Sequence, residues 1–207
     1  MPAPLDDLVL LDYRRRVAGL YAGLRARGID EDGWRWWRAQ RDELFASHPA
    51  SPVPADRRAG FDGLAYHPYD PRLHLGEIAL EPAEPAVLEV AHSAVGTTPA
   101  RRFAVLPLHL DGHVHRVSVY WLDVYGGGVF VPLRDATNGT TSYGGGRYLL
   151  DTVKSADLGG DVDRLVVDLN FLYHPSCVHD PRWSCPLAPA DERLPVPVAA
   201  GERLSVA

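Results

Sequence analysis

From residue 73 onward the chain is a succession of short strand-like segments with no helix-length spacer between them. Apolar or alternating runs fall at 73–80, 87–92, 102–110, 114–122, 129–133, 147–150, 165–171 and 196–198, with a further candidate at 203–206. A parallel pair of strands needs a crossover of a dozen or more residues, usually a helix. Nothing here supplies one, so the expected fold is mainly β, an antiparallel meander forming a barrel or sandwich. Asp111-Gly112 is the clearest hairpin turn. Period-two spacing puts Ala104, Leu106, Leu108 and Leu110 on one face of its first arm. On the second arm His113, His115, Val117, Val119 and Trp121 share a face.

The first 47 residues read differently. Leu5, Leu8, Val9, Val17, Leu20, Tyr21 and Leu24 recur at a mostly helical period, and Gly28 is a natural stop. Asp30 reads as the N-cap of a second helix, in which Trp34, Trp37, Arg41, Leu44 and Phe45 fall near one face. That aromatic stripe serves either as a partner or ligand surface or as the means of laying the helix on the core. His48 to Pro54 is a short extended strap, and ADRRAGF has the length of one helical turn. The expectation is a single domain over 1–207, with a helical segment at 1–47 packed on a β domain at 61–207.

A formal net charge of −6 argues against general nucleic-acid or anionic-membrane binding, which need a positive field. Arg14-Arg15-Arg16 reads as a solvated helix face. The opening residues carry acids before a short apolar run, unlike a signal peptide, and no run approaches the ~20 apolar residues of a membrane span. These features point to a cytoplasmic protein, where a stable disulfide is not expected. Cys177 and Cys185 are then thiols, ligands or a nucleophile.

The residue types able to do chemistry gather between Val129 and Pro189. On a strand over 165–171, Asp168 and Asn170 would lie on one face, ~7 Å apart at the strand repeat, as a polar floor or a solvated edge. Gly144-Gly145-Gly146 permits an anion-binding nest, and Arg147 after it could clamp a carboxylate or phosphate, or pair with Asp135 or Asp151 to fix the fold. The two cysteines, with seven residues between them, fit neither a CxxC redox motif nor a zinc knuckle. Three readings stand: Cys177 as a nucleophile activated by a nearby His or Arg147, a zinc site of Cys177, Cys185, His174 and His179, or two small buried hydrophobes. His109, His113 and His115 superficially resemble metal-site spacing but sit at a hairpin tip, where solvation is the simpler account. P-loop, nucleophile-elbow, HExxH and dinucleotide-fold motifs are absent, so no nucleotide cofactor is expected.

These segments together resemble a prokaryotic family of uncharacterised proteins, the domain-of-unknown-function family sixteen-eighty-four. The resemblance rests on Asp135-Ala136-Thr137-Asn138-Gly139, on Ser142-Tyr143 with Gly146-Arg147-Tyr148-Leu149, and on Asp168-Leu169-Asn170 through Tyr173-His174-Pro175-Ser176-Cys177. Cys185-Pro186-Leu187-Ala188-Pro189 and Ala200-Gly201-Glu202 complete it, with Trp37-Arg38, Ser51-Pro52 and Phe61-Asp62-Gly63-Leu64 upstream. His174, Ala188 and Glu192-Arg193 depart from the pattern, marking a divergent member. The resemblance implies no known reaction. It does imply that Asp135, Tyr143, Arg147, Asp168, Asn170, Tyr173, Cys177, Cys185 and Glu202 build one shared pocket.

The leading expectation is an enzyme or binding protein for a small anionic metabolite. Arg147 and the glycine loop would hold the anion beside Asp168, Asn170 and Tyr173. Asp135 or Glu202, its pKa raised by burial, would be the general base. Tyr143 would orient the substrate, with Cys177 as nucleophile or ligand. The alternatives are the zinc protein and a non-catalytic structural or interaction module. Homo-oligomerisation is left open.

Overall fold

The computed structural model describes residues 6–205; Leu5 and Val206, counted above in the first helix and the last strand, lie outside them. Two helices come first, α1 (Asp6–Arg27) and α2 (Glu31–Ser47). Eight strands follow: β1 (His74–Ala79), β2 (Glu81–Ala91), β3 (Thr97–Leu110), β4 (His113–Leu122), β5 (Gly128–Leu133), β6 (Arg147–Asp151), β7 (Gly160–Asp161) and β8 (Arg164–Asp168). Strands β2 to β6 form a five-stranded antiparallel meander in sequence order, and a three-stranded sheet runs β1-β8-β7. The sheets are sandwich-like and do not close, so the barrel alternative is set aside.

The hairpin β3–β4 sets the core. Asp111 and Gly112 take φ of 50° and 77°, the left-handed pair that matches strand twist in a two-residue turn. The register then pairs Leu106 with Val117 and Ala104 with Val119. Their side chains join Leu108, Val131, Leu133, Leu150, Val167, Leu169 and Leu172 in one apolar core between the sheets. His109 and His113 are exposed at the far end of this hairpin, as solvation predicts.

Asp30 caps α2 by accepting the Gly33 N–H at 2.8 Å. All five residues of the expected stripe, Trp34, Trp37, Arg41, Leu44 and Phe45, are buried. Trp37 packs against Phe171 and Tyr66, and Trp34 Nε1 donates to Asn170 O at 2.9 Å. The stripe therefore lays α2 on the β layer. In α1 only the second half does this, through Leu20, Tyr21 and Leu24, while Leu8 is 59% exposed.

Three expected strands differ. The segment 165–171 leaves the sheet at Asp168 and turns through a 3₁₀ helix over Leu169–Phe171. Asp168 Oδ1 accepts the Asn170 N–H at 2.9 Å, and this local bond replaces the ladder. Asp168 and Asn170 are consequently hydrogen-bonded to each other, not ranged along one strand face. Neither 196–198 nor 203–205 is a strand; that stretch runs as an irregular strap held by scattered backbone bonds, among them Glu202 N–H to Leu172 O at 2.7 Å, and by side chains.

Leu106→Ala removes a fully buried side chain from the centre of this core and is expected to cost ~2–5 kcal/mol. Leu8→Ala, on the exposed half of α1, is expected to stay within ~0.5 kcal/mol. Urea unfolding of both variants checks the assignment, and equal losses would contradict it.

Candidate functional site

Arg147 begins β6 opposite Leu133, two residues before Asp135, so the strand register itself brings the guanidinium to the carboxylate. Both side chains are 0% exposed, with Arg147 Nη2 donating to Asp135 Oδ2 at 2.8 Å. Nη2 also donates to Val198 O at 2.8 Å, while Nη1 donates to Ala200 O and, at 3.3 Å, to Glu202 O. Asp135 Oδ1 in turn accepts the N–H groups of Thr137 at 2.7 Å and Val198 at 3.2 Å. The expected anion clamp is therefore a correction: Arg147 is consumed in tying the strap 198–202 to the sheet.

The glycine loop serves the same tight packing. Gly146 has φ of 94°, and a Cβ there would lie 2.9 Å from Leu133 O and 2.7 Å from Ala188 Cβ. At Gly145 a Cβ would run into the Tyr143 ring.

The strap delivers Glu202 to the centre of a buried acid–base cluster. Glu202 is 1% exposed, and its Oε2 accepts from Arg41 at 3.0 Å and from the His174 N–H at 3.1 Å. Oε1 lies 3.5 Å from both His174 Nδ1 and His179 Nε2. His174 Nε2 accepts the Tyr143 N–H at 3.1 Å, so the ring proton belongs on Nδ1, facing Glu202. Arg41 also donates to Tyr66 OH, and its guanidinium lies over the rings of Trp37 and Tyr173 at 4.7 and 5.4 Å. Burial alone would raise the Glu202 carboxyl, but Arg41, His174 and His179 outweigh it and hold it well below the usual carboxylate range. The elevated pKa expected of Glu202 as a general base is thus reversed.

Asp168 and Asn170 form a separate knot. Asp168 Oδ2 contacts His74 Nδ1 at 3.0 Å and accepts from Tyr69 OH at 3.3 Å. Asn170 is bonded through both ends of its amide to the backbone of Asp70, at 2.9 Å each. Burial raises the Asp168 carboxyl, against the hydrogen bonds from Asn170 and His74. The knot joins α2, β8 and the segment before β1, and offers no free floor for a ligand.

Cys177 and Cys185 come together although seven residues separate them, because Cys177 sits in a 3₁₀ turn (Ser176–Val178) and the following loop folds back. The Cys177 thiol has Cys185, Ser93 and Tyr143 among its neighbours. The Cys185 thiol pulls Cys177 down to about 6, against burial, with Ser93 and Tyr143 adding to the effect. Cys185, the donor, is pushed up correspondingly. The zinc set is not assembled: both His174 ring nitrogens are engaged by Tyr143 N–H and Glu202. Among the described residues, no group of three His, Cys, Asp or Glu is placed to hold a metal ion.

Two cavities border the Glu202 cluster, and His174 lines both. One is an aromatic cavity of about 120 Å³ beneath the helices, walled by Tyr13, Tyr21, Phe45, Tyr148 and Tyr173. The Tyr173 hydroxyl is buried there without a hydrogen-bond partner. The other is an open cleft of about 430 Å³, bounded by Arg57, Asp62, His179, Glu202 and Arg203. The nine expected pocket residues therefore divide. Asp135 and Arg147 form the latch, Asp168 and Asn170 the knot, Tyr143 and the two cysteines the thiol cluster. Glu202 meets the cleft and Tyr173 the aromatic cavity. Arg41, Tyr66 and Arg57 were not picked out as site residues. A charged Arg41 inside an apolar stripe was the available signal, since such a residue needs a buried partner.

A sandwich-like protein of two antiparallel sheets, with a helical pair packed on it and a carboxylate buried among three bases, is the class that fold and site define. The model of a family described as a protein of unknown function, DUF1684, matches residues 59–203, and the chain belongs to that family. The solution structure of an uncharacterized protein from Haloarcula marismortui is similar, with a TM-score of 0.55 and 32% identity over 85% of this chain and 98% of that one. No curated protein matches. Among the described residues, no helix is long and apolar enough to cross a membrane.

Two outcomes follow from this geometry. Arg147→Ala leaves Asp135 buried without its partner and is expected to cost ~3–5 kcal/mol in chemical denaturation. Alkylation of Cys177 by iodoacetamide requires the thiolate, so its rate is expected to rise with pH through about 6 and then level. In Cys185→Ala the midpoint moves up, because the neighbouring thiol that lowers it is gone.

Proposed function

We propose that this protein binds a small polar anion, a carboxylate- or phosphate-bearing metabolite, in the cleft bounded by Arg57, His179, Glu202 and Arg203. The observation that carries the reading is the setting of His179. Arg41, His174 and His179 surround Glu202, with side-chain exposures of 8%, 1% and 16%, and His179 reaches the cleft furthest. Its Nε2 is buried without a hydrogen-bond partner, 3.5 Å from Glu202 Oε1. A histidine backed by a carboxylate is the common form of an acid–base group, and approach to a ligand tightens such long contacts. Arg57 and Arg203 on the walls give the cleft the positive groups that an anion needs, the part first expected of Arg147. In this reading the arginines fix the anion and His179 exchanges a proton with it.

The test is an NMR titration of the protein with succinate, citrate and inorganic phosphate. Binding of at least one is expected to shift the amides of Arg57, His179 and Arg203 together. Arg57→Ala, at an exposed position, is expected to weaken that anion about ten-fold, the loss of one charge-assisted hydrogen bond. Shifts confined to other surfaces, or no binding by any of the three, would overturn the reading.

A further inference from the structure

The aromatic cavity beneath the helices lies outside that proposed function. The helices α1 and α2 wall it through Tyr13, Tyr21 and Phe45, and β6 and the segment after Phe171 wall it through Tyr148 and Tyr173. Its volume is about 120 Å³. An apolar cavity of about 150 Å³ admits benzene, so this one has the size of a single ring. Two of its lining residues carry a buried donor with no acceptor, Tyr173 through its hydroxyl and Trp183 through Nε1. Neighbouring hydroxyls are served within the protein: Tyr148 donates to Pro186 O, and Tyr66 is bonded to Arg41. Burial pushes the Tyr173 phenol well above its ordinary range, so it stays a donor. A buried donor left unpaired loses the hydrogen bond that water gave it, and each of these two asks for an acceptor from outside the chain. Water held in such a space needs several polar partners, whereas these walls are mostly aromatic rings. Among the described residues the lining holds three cations, Arg14, Arg41 and Lys154, and no carboxylate. Glu202 offsets Arg41, and Asp151 lies 3.9 Å from Lys154. Arg14, on the exposed side of α1, has no carboxylate partner among the described residues.

We propose that this cavity is a second binding site, separate from the cleft, and that its ligand class is a single-ring aromatic carboxylate. The flat ring matches the aromatic walls, where edge and offset contacts between rings are favourable. A carboxylate oxygen is the acceptor that the Tyr173 hydroxyl lacks, and a charged acceptor makes the stronger hydrogen bond. Arg14 and Lys154 supply the positive field that draws the anion to the cavity. An aliphatic anion of the kind proposed for the cleft has no ring to set against these walls, and a neutral ring has no charge for Arg14.

The experiment is an NMR titration of the full chain with benzoate, toluene and acetate, read at the tyrosine ring signals. Benzoate is expected to shift the rings of Tyr21, Tyr148 and Tyr173 together and to saturate, at least ten-fold tighter than toluene or acetate. Tyr173→Phe is expected to weaken benzoate about ten-fold, the loss of one charge-assisted hydrogen bond, and to leave toluene unchanged. Leu10→Trp, which fills the cavity from α1, is expected to abolish benzoate binding, and circular dichroism confirms that each variant is folded. Toluene as tight as benzoate would overturn the carboxylate part, and acetate as tight would overturn the ring part. Equal losses of benzoate and toluene in Tyr173→Phe would overturn the hydrogen bond assigned to Tyr173. No shift of the tyrosine rings by benzoate would overturn the proposal as a whole. Shifts confined to Arg57, His179 and Arg203 would do the same and leave the cleft reading standing, while failure of the cleft anions to bind does not touch the cavity.

Discussion

The guanidinium of Arg147 is the interaction on which the rest of this structure depends. The strap 196–204 forms no strand, yet it crosses the buried side of the sheet. Its carbonyls need donors there, since a buried backbone group left unpaired loses what water gave it. Arg147 supplies them from one side chain, to Val198, Ala200 and Glu202, and Asp135 balances the charge while accepting the Val198 N–H. The ion pair therefore completes what the strap's scattered backbone bonds, such as Glu202 N–H to Leu172 O, leave unpaired. Without that strap Glu202 has no fixed place, and without Glu202 the Arg41 guanidinium on α2 is a buried cation without its carboxylate.

The same logic explains why residues expected to share a pocket ended up in separate nodes. Each node joins elements that no regular ladder connects. Asp168 and Asn170 join β8 to α2 and to the segment around Asp70. Glu202 joins the strap to α2 and to the loop carrying His174 and His179. A buried charge is tolerated where several partners meet it, and each node meets that condition. The Asp168, Glu202 and thiol nodes each keep one member within reach of solvent: His74, His179 and Cys177.

The alternation of Ala104 to Leu110, the Asp111-Gly112 turn and the stripe of α2 were legible because local periodicity fixes which face is buried. The end of β8 was not, because Asp168 finds its partner two residues on, and a local side-chain bond outcompetes a strand that hydrophobicity alone would continue. The pairing of Arg147 with Asp135 was one alternative beside Asp151 and a ligand anion, and its carbonyl partners lie in a segment with no pattern of its own. The choice between ligand and structure turned on them. The cysteine spacing was uninformative for a related reason. Proximity of the two thiols comes from the turn at Ser176–Val178 and the return of the loop past Ser93, which spacing does not encode.

Arg147 also imposes a schedule on the nascent chain. Its carboxylate partner precedes it by 12 residues and is available as soon as β6 is made. Its carbonyl acceptors follow by 51 to 55 residues, so sheet and strap meet only by closing a long loop. Until the strap has left the ribosome, the Arg147 guanidinium has only Asp135 of its four acceptors. Folding of the β layer and completion of the Glu202 cluster are thereby fused into one late event.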